Sequence, residues 1–240
     1  LHGHMDDQTI TQYGLFDTIT KKAVTLPVYQ DARNMWEARV KICDAILEMT
    51  HHGCGPVQIN VPQSGIELRP TPRYALILPR TKMIRRVSLG DPGEKWKREF
   101  DRLSASKRVM VIYGQAQKID AYEKSLVDKF AEKFNCVILA DHLANISGSK
   151  VVFPYRLLHG LSQMEYNEAL SPDLVVQFGG KRILNDPLTS KLRRGYQNIP
   201  LWRVAPDGMV VDLYRRLETM IQYSVRETVS VKKRILPVKP

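Results

Sequence analysis

Cysteine is scarce in this sequence, and the few present follow no pairing pattern. Cys43, Cys54 and Cys136 are an odd number and widely separated. That excludes a disulfide framework and fits reduced thiols in an intracellular setting. Long apolar runs are missing too. Stretches such as Val109 to Tyr113 and Val137 to Ala140 fall far short of the roughly 20 residues that cross a bilayer, so no membrane contact is expected. No basic-then-apolar leader opens the chain; Leu1 to Met5 reads either as natural chain or as a cloning remnant, and the expected compartment is the cytoplasm.

Three further absences narrow the chemistry. The G-x-G-x-x-G that lets backbone approach a pyrophosphate does not occur; the one candidate turn after a strand reads Gly114-Gln-Ala-Gln117, which argues against a nicotinamide site. His51-His52 with Cys54 looks like a soft metal cluster, but adjacent histidines point apart and no second Cys or His pair stands at ligand spacing. They read instead as cationic groups at a helix end. Lys and Arg exceed Asp and Glu by 36 − 25 = 11, an excess compatible with nucleic acid, anionic substrates or a basic surface. The basic runs Arg80 to Arg86, Lys191 to Arg194 and Lys232 to Arg234 lack aromatic interleaving, so they read as solvated faces and no nucleic-acid partner is expected.

What is present is an ordinary globular composition: 240 residues, 43% hydrophobic and 25% charged, enough to bury one large or two smaller cores. From Met35 to Thr50, apolar residues fall in two adjacent helical stripes, with Asp31 as cap and Gly53 and Gly55 as stop. Pro56 to Pro62 alternates like a strand. Gln63 to Gly93 carries Pro70, Pro72, Pro79 and Pro92 without periodicity and reads as a linker. A regular alternation follows: a helix over Pro92 to Ser106, a strand over Val109 to Tyr113, a helix over Ile119 to Phe134, and strands at Cys136 to Ala140 and Val151 to Phe153. Leu157 to Leu170 reads as helical, Asp173 to Phe178 as a strand, Pro187 to Arg194 as a short helix, Pro200 to Val204 as a strand and Val210 to Tyr223 as a last helix. Strands apolar throughout must be covered on both faces, which predicts an α/β class: a doubly wound, mainly parallel, Rossmann-like sheet with helices on both faces. Ligands of such sheets bind at the strands' carboxyl ends, here the turns after Tyr113, Ala140 and Phe178.

Three segments carry a resemblance. They are Asp7-Gln8-Thr-Ile-Thr-Gln12 with Leu15-Phe16 and Val24-Thr-Leu-Pro27; Gly55-Pro-Val-Gln-Ile-Asn-Val-Pro62; and Asp173-Leu-Val-Val-Gln-Phe-Gly-Gly180, followed by Leu201-Trp-Arg-Val204, Asp207-Gly208 and Asp212. In order and spacing they resemble thiamine-diphosphate-dependent enzymes of the acetolactate synthase and pyruvate decarboxylase superfamily. Within it they resemble most the 2-succinyl-5-enolpyruvyl-6-hydroxy-3-cyclohexene-1-carboxylate synthase family of menaquinone biosynthesis. The resemblance implies that residues 1–63 end a pyrimidine-binding domain, 64–91 are a linker, 92–226 form the central domain and 227–240 lead toward a diphosphate-binding domain. It further implies an internal piece of a parent enzyme that binds thiamine diphosphate and Mg²⁺, works as a homodimer or homotetramer and joins 2-oxoglutarate to isochorismate, the carbanion chemistry being the cofactor's own.

Such enzymes also carry a glutamate upstream of the matching region and a Gly-Asp-Gly motif with an Asn in the third domain. Neither is found here; Gly90-Asp-Pro-Gly93 reads as a turn. This chain alone is therefore expected to bind no cofactor and to be inactive without the parent's remaining domains, and no catalytic or metal-binding residue is assigned. The resemblance places Gln8 where an amide reaches the active site. Lys181 and Arg182, directly after the Phe178-Gly-Gly180 strand end, would pair with an acidic small-molecule substrate. Asn185-Asp186 departs from the family's basic pattern in that loop. Asp141-His142 reads as a helix cap rather than an acid-base pair. The competing function is a non-catalytic binding module, either a free-standing domain or a basic nucleic-acid-associated protein.

Overall fold

The computed structural model describes residues 14–28, 30–62, 83–180, 187–194 and 198–223. The chain divides into two compact units, residues 1–83 and 84–240.

In the first unit, strands β1 (Lys22–Thr25) and β2 (Val57–Asn60) pair in parallel, joined through helix α1 (Ala32–Glu48). The Asp31 carboxylate accepts from the Asn34 amide at 2.8 Å and satisfies a free N–H of the first turn, as its position before the apolar stripes predicts. The helix buries Cys43 and Ala45. It is tied to β1 by the Lys22–Asp44 ion pair at 3.0 Å and by Lys41 donating to the Thr25 carbonyl at 2.9 Å. β1 is a strand the periodicity did not reveal, because four residues are too few to show alternation.

The second unit is a seven-stranded parallel sheet. Its elements are β3 (Arg85–Ser88), α2 (Gly93–Ala105), β4 (Val109–Tyr113), α3 (Ala121–Lys133), β5 (Val137–Ala140), β6 (Val151–Val152), α4 (Tyr155–Gly160), α5 (Gln163–Glu165) running into a π-helical turn Tyr166–Leu170, β7 (Leu174–Phe178), α6 (Pro187–Arg194), β8 (Leu201–Val204) and β9 (Leu217–Gln222). The strand order is β3-β9-β8-β7-β4-β5-β6. Without β3 this is the 3-2-1-4-5-6 order of doubly wound dinucleotide folds, whose reversal point falls between β4 and β7.

Every residue of β4, β7 and β8 is buried, as the unbroken apolar runs require. Val109, Val111, Tyr113, Leu174, Val176, Phe178, Trp202 and Val204 share one core with Trp96 and Leu103 of α2 and Val127 and Ala131 of α3. The residues of opposite parity, Met110, Ile112, Val175 and Leu201, are buried as well, so the other face is also covered. Leu158, Tyr166, Leu188 and Leu192 bring buried apolar surface from α4, the π-helical turn and α6. Fully burying each such side chain contributes roughly 1.5–3 kcal/mol.

Two segments depart from the sequence reading. The helix expected over Val210 to Tyr223 is instead a turn and strand β9. Asp212 accepts from the amides of Arg216 and Leu217 at 2.7 and 2.8 Å, and Arg215 turns the chain with φ 59°, so an Asx-type turn launches a strand whose buried apolar residues also fit a helical period. Within the stretch assigned to the linker, Arg85–Ser88 is a strand paired with β9. Its two arginines suit a sheet edge, where charge deters pairing with other chains, and its partner lies more than a hundred residues away in sequence.

β9 carries a register shift: Leu201 lies opposite Leu217 and Trp202 opposite Thr219, leaving Glu218 as the extra residue. Its buried carboxylate accepts from Arg102 at 2.5 Å and Arg85 at 2.8 Å, joining α2 to the β3 edge. Glu99, also buried, lies 3.3 Å from Arg98 and 3.5 Å from Arg85.

Candidate functional site

The fold's rule for ligands points to the carboxyl end of the sheet at the β4–β7 reversal. There the protein's own backbone fills the crevice. The Gly114 amide donates to the Phe178 carbonyl at 2.9 Å, and the Gly180 amide donates to the Gln115 carbonyl at 2.8 Å. A Cβ on Gly114 would collide with the carbonyl of Gly180, and one on Gly179 would stand 2.8 Å from the Gly114 oxygen and 3.0 Å from that of Gln115. Gly179 also adopts φ 73°, open to glycine at no steric cost. These glycines serve close approach of one loop to another, not of backbone to a phosphate, which accounts physically for the missing G-x-G-x-x-G.

The same loop is held from the β5 side. The Ala116 amide donates to the Leu143 carbonyl at 3.2 Å, and the Asn145 side-chain amide donates to the Ala116 carbonyl at 2.8 Å. Asn145 sits in the left-handed region, φ 51°, which its short polar side chain tolerates. Asp141 accepts from the Leu143 amide at 2.9 Å and caps the turn, so it acts as the cap that the sequence suggests. Three carboxyl-end loops thus form one stitched platform.

A second platform lies after β8. Buried Arg203 grips Asp207 with a two-pronged fork, both contacts 2.7 Å, and donates to the Met209 carbonyl at 2.8 Å. Arg86 donates to the Gly208 carbonyl at 2.8 Å. Arg203 hydrogen bonds, helped by the Met209 amide and opposed by partial burial, hold the Asp207 carboxyl below its usual range. A depressed folded pKa stabilises the protein above the ordinary value near 3.8 and ceases to do so as pH falls through the folded value. Asp207→Asn should therefore melt lower than the parent near neutrality, with the two midpoints converging as pH falls below the ordinary value of 3.8 and through the lowered folded one. Thermal unfolding across pH 2–7 (about that range) checks it; a gap that persists at the acid end would count against the fork as its source.

Of the residues singled out beforehand, Gln8, Lys181 and Arg182 lie outside the described residues, as does Asn185-Asp186. His51 pairs with both Glu48 carboxylate oxygens at 3.1 Å and stacks on His52 at 3.9 Å. No group of three or more His, Cys, Asp or Glu among the described residues is arranged for a metal. Burial pushes the Cys136 thiol up to about 11 and the Tyr166 hydroxyl to about 12, far from a nucleophile's range. Leu89 to Asp91 turns the chain toward α2, which begins at Gly93, with Asp91 accepting from the Ser88 amide at 2.8 Å. A cavity of about 40 Å³ between α2, α3 and the sheet is lined by Trp96, Phe100, Phe130, Phe178 and Trp202 among others; it is too small for a substrate. No helix among the described residues is long and apolar enough to cross a membrane.

Among the described residues no set is arranged for thiamine diphosphate. The reversal point is closed by backbone, and the described residues offer no acidic set for Mg²⁺.

The comparisons with known proteins run along nearly the whole chain. No protein-family model matches. The 2-succinyl-5-enolpyruvyl-6-hydroxy-3-cyclohexene-1-carboxylate synthase of Phocaeicola vulgatus is 33% identical over 227 residues, 92% of this chain and 39% of that protein. This chain is similar in sequence to that synthase along most of its own length. The enzyme of the same name from Bacteroides thetaiotaomicron is 32% identical over 92% of this chain and 39% of its own length. That from Cytophaga hutchinsonii is 24% identical over 94% and 39%. The chain thus spans about two fifths of the synthases it matches, 39% of each. A solved structure described as a thiamin diphosphate-dependent enzyme from Mycobacterium smegmatis aligns over 92% of this chain and 41% of its own, with 16% identity and a TM-score of 0.37.

Proposed function

We propose that this chain is the central part of a thiamine-diphosphate-dependent synthase that joins 2-oxoglutarate to isochorismate in the cytoplasm. One observation carries the reading: 33% identity to a synthase of that product, sustained over 92% of the chain. On this reading residues 1–63 close the pyrimidine-binding domain, 64–83 connect, 84–226 are the central domain, whose sheet takes in β3, and 227–240 lead to the domain that holds the diphosphate and Mg²⁺. The complete enzyme is a homodimer or homotetramer. Gln8, Lys181 and Arg182 contact the substrates, whose carboxylates suit a chain with a net charge of +11. The closed crevice supports a part that positions rather than catalyses.

Two measurements test this. Calorimetric titration of the chain with thiamine diphosphate and Mg²⁺ should give no saturable heat, since the cofactor's sites are assigned to the rest of the enzyme; a micromolar isotherm would overturn the domain assignment. Joined to the remaining polypeptide, the chain should support consumption of 2-oxoglutarate that requires both thiamine diphosphate and isochorismate. Turnover without either would reject the reading.

A further inference from the structure

We infer that the cavity between α2, α3 and the sheet is a binding site for a small hydroxyl compound of about three non-hydrogen atoms, held at its hydroxyl by Trp202 and Glu99 and independent of the synthase reaction.

One donor in this core is left over. Trp202 of β8 is 3% exposed, yet its indole N–H has no hydrogen-bond partner among the described residues. Trp96 in the same core shows the usual arrangement: it is 5% exposed and donates its indole N–H to the Ser88 carbonyl at 3.2 Å. A buried donor without a partner is costly, and native cores keep few of them. Trp202 lines the cavity, and its backbone is taken up by pairing with β7 and β9. What it offers the cavity is therefore the indole.

An acceptor lines the same cavity. Glu99 of α2 is 2% exposed; its Oε1 meets Arg98 at 3.3 Å and Arg85 at 3.5 Å, whereas among the described residues its Oε2 accepts only from the Thr219 hydroxyl, at 3.4 Å, which is long for such a bond. Thr219 is the register partner of Trp202 across the β8–β9 pair, so it links the strand position beside the indole to this carboxylate. A hydroxyl group answers both, accepting from the indole and donating to the carboxylate. Phe100, Phe130, Val176 and Phe178 line the remainder with carbon, which suits a short alkyl tail. Size sets the limit. A water-sized group takes about 10–15 Å³, so a cavity of about 40 Å³ accepts about three of them, a hydroxyl and two carbons. A cluster of waters would turn most of its bonds toward carbon, since each water needs two to four polar partners, roughly.

Titration of the chain with ethanol, followed by nitrogen–proton correlation NMR, tests the site. The chain has three tryptophans, Trp36, Trp96 and Trp202, and Trp202→Phe assigns the indole signal by its loss. Should that variant fail to fold, Trp36→Phe and Trp96→Phe assign it by elimination. The Trp202 indole proton should shift downfield and saturate with a dissociation constant of about 1–50 mM, the range open to so few atoms. The signals of Trp36 and Trp96 should drift in proportion to ethanol. Dissolved xenon, which has no hydroxyl, should move the Val176 methyl signals and leave the indole proton in place. In Trp202→Phe the ethanol affinity read at Val176 should fall about tenfold. A Trp202 indole signal that drifts in step with Trp36 overturns the inference, as does equal ethanol affinity in Trp202→Phe or an indole shift with xenon as large as that with ethanol. A cross-relaxation peak between the indole and water that ethanol fails to remove identifies the occupant as water and overturns it equally.

Discussion

Val176→Asp is expected to cost the seven-stranded unit about 4 kcal/mol or more, because it places an unpaired carboxylate at a core position. Val176 is 2% exposed, sits in the middle of β7 between β4 and β8, and packs in the core under α2 and α3. The described residues that form that core around it are apolar, so the carboxylate must either stay charged at high cost or take up a proton. Asp173→Lys, three residues earlier, should cost less. Asp173 is exposed, but its carboxylate accepts from the amides of Lys107 and Arg108 at 2.8 and 3.0 Å, so the loss should be about 1.5–3 kcal/mol, that of contacts to a charged group, and not the negligible change of a free surface site. Denaturant unfolding followed by circular dichroism ranks the two; equal midpoints would refute the burial assigned to β7.

Glu218→Ala should lower stability by about 3 kcal/mol, the low end of what removing one partner of a buried ion pair costs. The low end applies because Arg85 and Arg102 are 32% and 42% exposed and can turn partly to water once the carboxylate is gone. Glu218→Gln keeps an acceptor oxygen and should lose less. The damage should be local to the β3 edge, so amide exchange at Arg85–Ser88 should rise before exchange in β4 or β7. Uniform loosening of the whole sheet would mean that Glu218 supports the core as a whole and not this edge.

Much of the fold was legible in residue order. The apolar runs at Val109 to Tyr113 and Asp173 to Phe178 read correctly as doubly covered strands, since a strand buried on both faces has no polar alternation to hide its length. Helices α1, α2, α3 and α6 were legible for the opposite reason: one face is wet, and the period of 3.6 survives. Asp31 and Asp141 were recognisable as caps because capping is a local bond between residues two or three apart. The similarity to the synthases was legible too, since the quoted segments keep their order along nearly the whole chain.

The misreadings share a physical cause. β3 is a strand because it pairs with β9 across more than a hundred residues, and no local pattern reports a partner that far away. β9 in addition is buried at five of its six residues, so its apolar positions fit a helix as well as a strand until Asp212 and Arg215 turn the chain. Gly114 was visible in the sequence only as part of a failed nucleotide fingerprint, and Gly179 and Gly180 only as the end of a segment that carried the resemblance. That they close the crevice is a fact about two loops meeting, decided by the strand order that sets β7 beside β4. Local chemistry determined which segments became helices and which became buried strands; the neighbour each strand found, and with it the sealing of the site the fold would otherwise offer, was decided only when the sheet assembled, because backbone contact between distant loops has no signature in either loop alone.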